Sequence, residues 1–161
     1  MYRRSDKKII SIVDDDPDIV GLFFNALKEI IDGVKTFKFT DPILALEHFK
    51  YNKNSYCLVI CDNRMPGISG IELLRSIKSM NPLVRTILLT AFDIDDNLFK
   101  ANRGSIDVLL QKPVRIPKFT EEVKKQIGES LMRKQKLLIP SYSLKDAEKL
   151  NSVSSDLNHR K

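Results

Sequence analysis

The chain has 161 residues and a formal net charge of +6, with 42% hydrophobic and 30% charged residues. This is the length and composition of one globular domain, with about thirty residues to spare. Two cysteines, Cys57 and Cys61, are too few for a disulfide framework or a four-cysteine zinc site, and four residues apart in a strand they cannot bridge. They read as reduced, buried thiols of a cytoplasmic protein. The longest apolar run, Tyr56 to Cys61, has six residues, whereas a membrane-spanning helix needs about 20. The basic start is followed only by Ile9 to Val13, too short for a secretory signal. Residues 116–161 carry +4 of the charge and residues 1–115 carry +2.

In chain order, Ile9 to Val13 is a short apolar run ending in acids, and it predicts a buried strand. Asp16-Pro17 then reads as an N-cap with proline at the first helical position. Ile19, Leu22, Phe23, Ala26, Leu27 and Ile30 form one apolar face, and Asp32-Gly33 ends the helix. Val34 to Phe39 predicts a strand with one wetter face, suited to a sheet edge. Asp41-Pro42 starts a second helix, with Ile43, Leu46 and Phe49 expected on its core side. Tyr56 to Cys61 is a second apolar strand. A turn-rich loop, 63–70, leads to a third helix through Ile71, Leu74 and Ile77, closed by Asn81-Pro82. A strand follows over 84–89, then a short polar helix over 93–103, a fifth strand over 106–110, and a basic amphipathic helix from Pro117 to about Lys136. On that last helix Phe119, Val123, Ile127 and Leu131 share a face. The strands at 9–13, 56–61, 84–89 and 106–110 read as fully apolar.

Five strands alternating with five helices predict an α/β fold, a doubly wound parallel sheet with both faces covered. In such sheets ligands bind at the carboxyl ends of the strands. The first strand ends in Asp14-Asp15-Asp16, the third in Asp62, the fourth in Thr90-Ala91 and the fifth in Lys112-Pro113. One rim therefore receives clustered carboxylates, a hydroxyl and an ammonium. Oxygen-only ligands suit a hard cation, Mg²⁺ first, held directly or through water by Asp14 and Asp15. Asp62 stands alone at its strand end and is the candidate nucleophile. Thr90 can donate a hydrogen bond to a phosphoryl oxygen, and Lys112 can offset its charge.

Ile12-Val13-Asp14-Asp15-Asp16, Asp62-Asn63-Arg64-Met65-Pro66-Gly67, Thr90-Ala91 and Lys112-Pro113, in that order, resemble the receiver domain of two-component response regulators over residues 7–130. The resemblance implies a flavodoxin-like sheet of order 2-1-3-4-5. It implies Asp62 as phosphoacceptor, with Asp14, Asp15, Asp62 and the main-chain carbonyl of Arg64 around Mg²⁺ (or Mn²⁺), and Thr90 and Lys112 as phosphate-binding and switching residues. The partners implied are a sensor histidine kinase or phosphotransfer protein and a downstream protein, with homodimerisation on phosphorylation as some members show. Leu109 stands where the family commonly has its switching aromatic residue. Arg64 and Phe92 lie two positions after Asp62 and Thr90, where the family tunes dephosphorylation, and their bulk implies a slow-decaying phosphoaspartate.

Such a chain is not expected to be an enzyme beyond its own phosphorylation and dephosphorylation. Residues 131–161 read as a basic extension, partly helical or disordered, too short for a DNA-binding output domain, so a stand-alone receiver is expected. Neither membrane insertion nor nucleic-acid binding is expected. Two other readings are a receiver-fold binding module that works without phosphorylation and a haloacid-dehalogenase-type phosphohydrolase using Asp14 and Asp16. His48 and His159 have no evident partner.

Overall fold

The computed structural model describes residues 7–29, 31–91 and 96–138. Its elements run β1 (Lys8–Val13), α1 (Pro17–Lys28), β2 (Val34–Phe39), α2 (Pro42–Asn52), β3 (Tyr56–Asp62), α3 (Gly70–Met80), β4 (Arg85–Thr90), α4 (Asp96–Ala101), β5 (Val108–Gln111) and α5 (Ile116–Leu138). All strand pairs are parallel, in the order β2-β1-β3-β4-β5. The chain therefore has the flavodoxin-like order expected from its motifs. Ile30, Phe92, the start of the 93–103 segment and the extension beyond 138 lie outside the described residues. Among the described residues no helix is long and apolar enough to cross a membrane.

Alternation along the strands sends side chains to two cores. Val13, Val59, Cys61 and Leu88 pack under α2 and α3 with Phe49, Leu73, Leu74 and Ile77. Ile10, Ile12, Ile60, Ile87 and Leu89 pack under α1 and α5 with Phe23, Leu27, Phe119 and Val123. Cys57 and Cys61 are buried and free. Burial pushes the Cys57 thiol up to about 11, and pushes Cys61 up too, with the Asp62 and Asp14 charges adding to it.

Helix starts follow the local chemistry. The Asp16 side chain accepts from the Asp18 amide at 2.9 Å and Asp41 from the Ile43 amide at 2.8 Å, each with proline at the first helical position. At α3, Ser69 and Glu72 form a reciprocal capping box.

Several expectations change. The 84–89 segment is buried but not apolar: Arg85 and Thr86 lie inside it, satisfied by Asp107. β5 is an edge strand, half-buried and shorter than expected, because only β4 pairs with it. Ile43 is 44% exposed, since Pro42 and Ala45 take the core side of α2 with Phe49. Leu22 and Leu131 also turn outward; on α5 the buried position nearby is Ser130.

His48 does have a partner: its Nδ1 lies 2.7 Å from the Tyr56 hydroxyl, and its ring packs on Phe37 and Phe39. Burial, then the Lys35 charge, lowers its pKa from 6.5. A depressed pKa means the unfolded chain binds this proton more readily. The stability tied to a neutral His48 is thus present above pH 6.5 and is lost as pH falls from there through the folded-state value. His48→Gln should flatten the decline in Tm between neutral and mildly acid pH. Equal slopes in the two proteins would contradict this.

Candidate functional site

Parallel strands place their carboxyl ends on one rim, and the loops there gather the residues expected from the motifs. Asp14 follows β1 directly, and its amide donates to the Phe39 carbonyl at 3.1 Å. Asp62 ends β3, Thr90 ends β4, and Lys112 follows β5. A cleft of about 340 Å³ is lined by Asp14, Asp15, Asp62, Arg64, Thr90 and Lys112, among others.

Asp14, Asp62 and Thr90 are buried, Lys112 is half-buried, and Asp15 and Arg64 are exposed. The Lys112 ammonium bridges two carboxylates, 2.7 Å from Asp14 Oδ2 and 2.7 Å from Asp62 Oδ1. Burial pulls the Lys112 pKa down, but hydrogen bonds and charge from both aspartates outweigh it, and the value is raised. The second oxygen of each carboxylate takes a main-chain amide: Asp16 N to Asp14 Oδ1 at 3.0 Å, and Arg64 N to Asp62 Oδ2 at 2.9 Å. The Asp62 side chain is thereby fixed by its own loop and by β5. The Lys112 amide donates to the Thr90 carbonyl at 2.7 Å, tying the ends of β4 and β5.

Asp14, Asp15 and Asp62 each bring a carboxylate oxygen within 4.8 Å of the others. The donors are hard oxygens, and the one nearby thiol, Cys61, donates to the Gly70 carbonyl instead. This set fits Mg²⁺ or Mn²⁺ rather than a thiophilic ion. Asp16 is exposed at the same rim, and its Oδ1 accepts from the Asp18 amide as the α1 cap.

The family model for the response regulator receiver domain matches residues 10–124. The chain belongs to the response regulator receiver domain family. The polar-differentiation response regulator DivK of Brucella anthropi is 24% identical over 125 residues, covering 76% of this chain and 98% of that protein. A response regulator receiver domain protein from Clostridium thermocellum superposes with a TM-score of 0.68 at 30% identity, covering 82% of this chain and 99% of that one. A BeF3-activated DrrB receiver domain gives a TM-score of 0.63 at 26% identity, covering 75% of this chain and 97% of that one. The receiver belongs, with these relatives, to two-component signal transduction.

Leu109 is half-buried and packs with the α2–α3 core. Phe92 lies outside the described residues, and Arg64 is placed at the exposed rim. Sequence reasoning missed three features of this receiver. Gly70 packs against the Asp62 backbone. Arg85 and Asp107 form a buried pair at 2.8 Å. An apolar pocket of about 410 Å³, lined by Leu22, Pro113 and Val114, shares Ile19, Ala91 and Lys112 with the acidic cleft. Exposed Leu22 was the only sequence signal for that pocket, and it looked like core.

Proposed function

We propose that this receiver is a cytoplasmic phosphorylation switch in a phosphorelay, with Asp62 as acceptor. An Asp62 carboxylate oxygen attacks the phosphorus of a phosphohistidine on a kinase or phosphotransfer protein. An O–P bond forms, the P–N bond breaks, and the imidazole nitrogen takes a proton. The observation that carries this reading is a buried Asp62 held 2.7 Å from Lys112 within reach of two further carboxylates.

Asp14, Asp15 and Asp62, with the Arg64 carbonyl, would hold Mg²⁺, which supplies charge neutralisation to the phosphoryl oxygens when bound. Lys112 then keeps its positive charge beside the new phosphoryl group, and the Thr90 hydroxyl donates a hydrogen bond to a phosphoryl oxygen. The coupling of Thr90 to Lys112 through the main chain passes this change to β5 and the neighbouring face. A downstream protein, or a second copy, reads that face. Leu109 in place of an aromatic residue makes the readout rest on packing of the β4–β5 ends. The apolar pocket beside the cleft supports a protein donor, because a partner seated on Leu22 and Val114 delivers its phosphoryl group past Lys112. No turnover is proposed beyond the chain's own phosphorylation and hydrolysis.

Beryllofluoride, which bonds to a carboxylate oxygen as a phosphoryl mimic, tests the site without a kinase. With Mg²⁺ it should raise the Tm of the wild type above that with Mg²⁺ alone, by mass action on the folded state. Asp62→Asn should show no such rise. An equal rise in both proteins would place the acceptor elsewhere.

A further inference from the structure

At the amino ends of the strands, away from the phosphorylation rim, lies a groove of about 290 Å³. Leu83 lines it from the α3–β4 connection and Leu137 and Leu138 from the end of α5, with Asn54, Asn81 and Lys134. Hydrogen bonds to the main chain tie its walls together. Lys134 Nζ donates to the Asn54 carbonyl at 3.2 Å and the Tyr56 carbonyl at 3.0 Å, pinning the end of α5 to the start of β3. Asn81 Nδ2 donates to the Lys53 carbonyl at 2.8 Å, and its Oδ1 accepts from the Leu83 amide at 3.1 Å. The groove is therefore preformed. Lys134 and Asn81 have partners, whereas Leu137 is 68% and Leu138 82% exposed. Adjacent leucines left in water at a helix end favour a covering partner.

Three features of the chain point to the segment that follows. Residues 139–161 continue directly from Leu138, itself a wall of the groove. Pro140 is a stop signal for a helix, so the sequence provides for a change of direction beside the groove. Beyond it, Leu150, Val153 and Leu157 stand at i, i+3 and i+7, with Ala147 three residues earlier and polar residues between them. That is the spacing of an apolar helical face. A segment tethered by a short linker has an effective concentration on the order of millimolar. It therefore outcompetes a second copy of the chain in ordinary dilute solution.

We propose that residues 147–157 dock on this groove as an amphipathic helix, with Leu150, Val153 and Leu157 covering Leu83, Leu137 and Leu138. The basic extension is then a clasp across α5, the start of β3 and the α3–β4 connection, not a free arm. It sits at the opposite end of the sheet from Asp62, so it stands apart from the assignment of the phosphoacceptor.

Hydrogen-exchange mass spectrometry of the full chain tests this, with a synthetic peptide of residues 139–161 as the unprotected reference. Amides of 147–157 should exchange several-fold more slowly in the protein than in the peptide, and equally slowly after tenfold dilution. Leu138→Glu, at an exposed position, and Leu83→Gln, half-buried and off the helix, should each bring these amides to the peptide rate. Unchanged exchange in β1 and β3 would show that both variants stay folded. Peptide-like exchange in the wild type, or protection that survives either variant, would overturn the proposal. Protection lost on dilution would also overturn it, by making a second copy the occupant.

Discussion

Replacing Asp107 by alanine should cost about 3–5 kcal/mol of folding stability, the usual cost of stripping one partner from a buried ion pair. Asp107 receives Lys78 Nζ at 2.6 Å and Arg85 Nη1 at 2.8 Å. It also accepts from the Thr86 amide at 2.9 Å. The Lys78 and Arg85 side chains are only 9% and 7% exposed. Burial already pulls the Lys78 pKa down, and Asp107 is what pulls it back. Without that carboxylate Lys78 has no anion among the described residues, while Arg85 keeps Gln126 at 2.6 Å and the half-exposed Glu129 at 3.6 Å. Since a domain is stable by about 5–15 kcal/mol, urea unfolding should register the loss as a large fall in midpoint. Adding Lys78→Met to Asp107→Ala should recover part of it, because the second change removes the stranded charge. A loss under about 1 kcal/mol, the range of exposed pairs, would show that the pair is effectively solvated.

Gly70→Ala should damage both stability and the site. Gly70 opens α3 and its amide donates to the Asn63 carbonyl at 2.9 Å, pinning the helix start to the loop after Asp62. A Cβ there would overlap the Asp62 carbonyl oxygen and sit 2.8 Å from Leu88 Cδ1. Leucine can rotate, but a strand carbonyl at the acceptor residue cannot move without moving Asp62. Overpacking of this kind costs about 1–3 kcal/mol. The displaced Asp62 should in addition weaken Mg²⁺ binding, read as a smaller Mg²⁺-induced rise in Tm. Wild-type stability with an undiminished Mg²⁺ response would mean that α3 can back away freely.

What was legible in the sequence is what local pattern encodes. β1 and β3 are short apolar runs, and α1, α2 and α3 are apolar stripes that open on caps. The acids, threonine and lysine of the site stand at strand ends, so the parallel topology alone gathers them. What was not legible depends on distant pairing. Arg85 has no place in the fully apolar reading of the 84–89 strand, because the partner that lets it be buried, Asp107, is 22 residues away. Ile43 and Leu22 satisfied the helical period, but the buried faces of α1 and α2 are narrower than their apolar ones. Gly67 and Gly70 share one loop, and sequence does not separate their reasons: Gly67 has a φ of +89° as a turn glycine, whereas Gly70 is required by contact. His48 found a partner because β3 brings Tyr56 under α2.

Intact-protein mass spectrometry after incubation with acetyl phosphate and Mg²⁺, wild type beside Asp62→Asn, tests the central claim most directly. One added phosphoryl group on the wild type, absent from Asp62→Asn and from the wild type stripped of divalent metal, is the expected result. Its persistence would also test the slow decay expected from Arg64 and Phe92. A phosphoryl group carried equally by Asp62→Asn would contradict the account, whatever its lifetime.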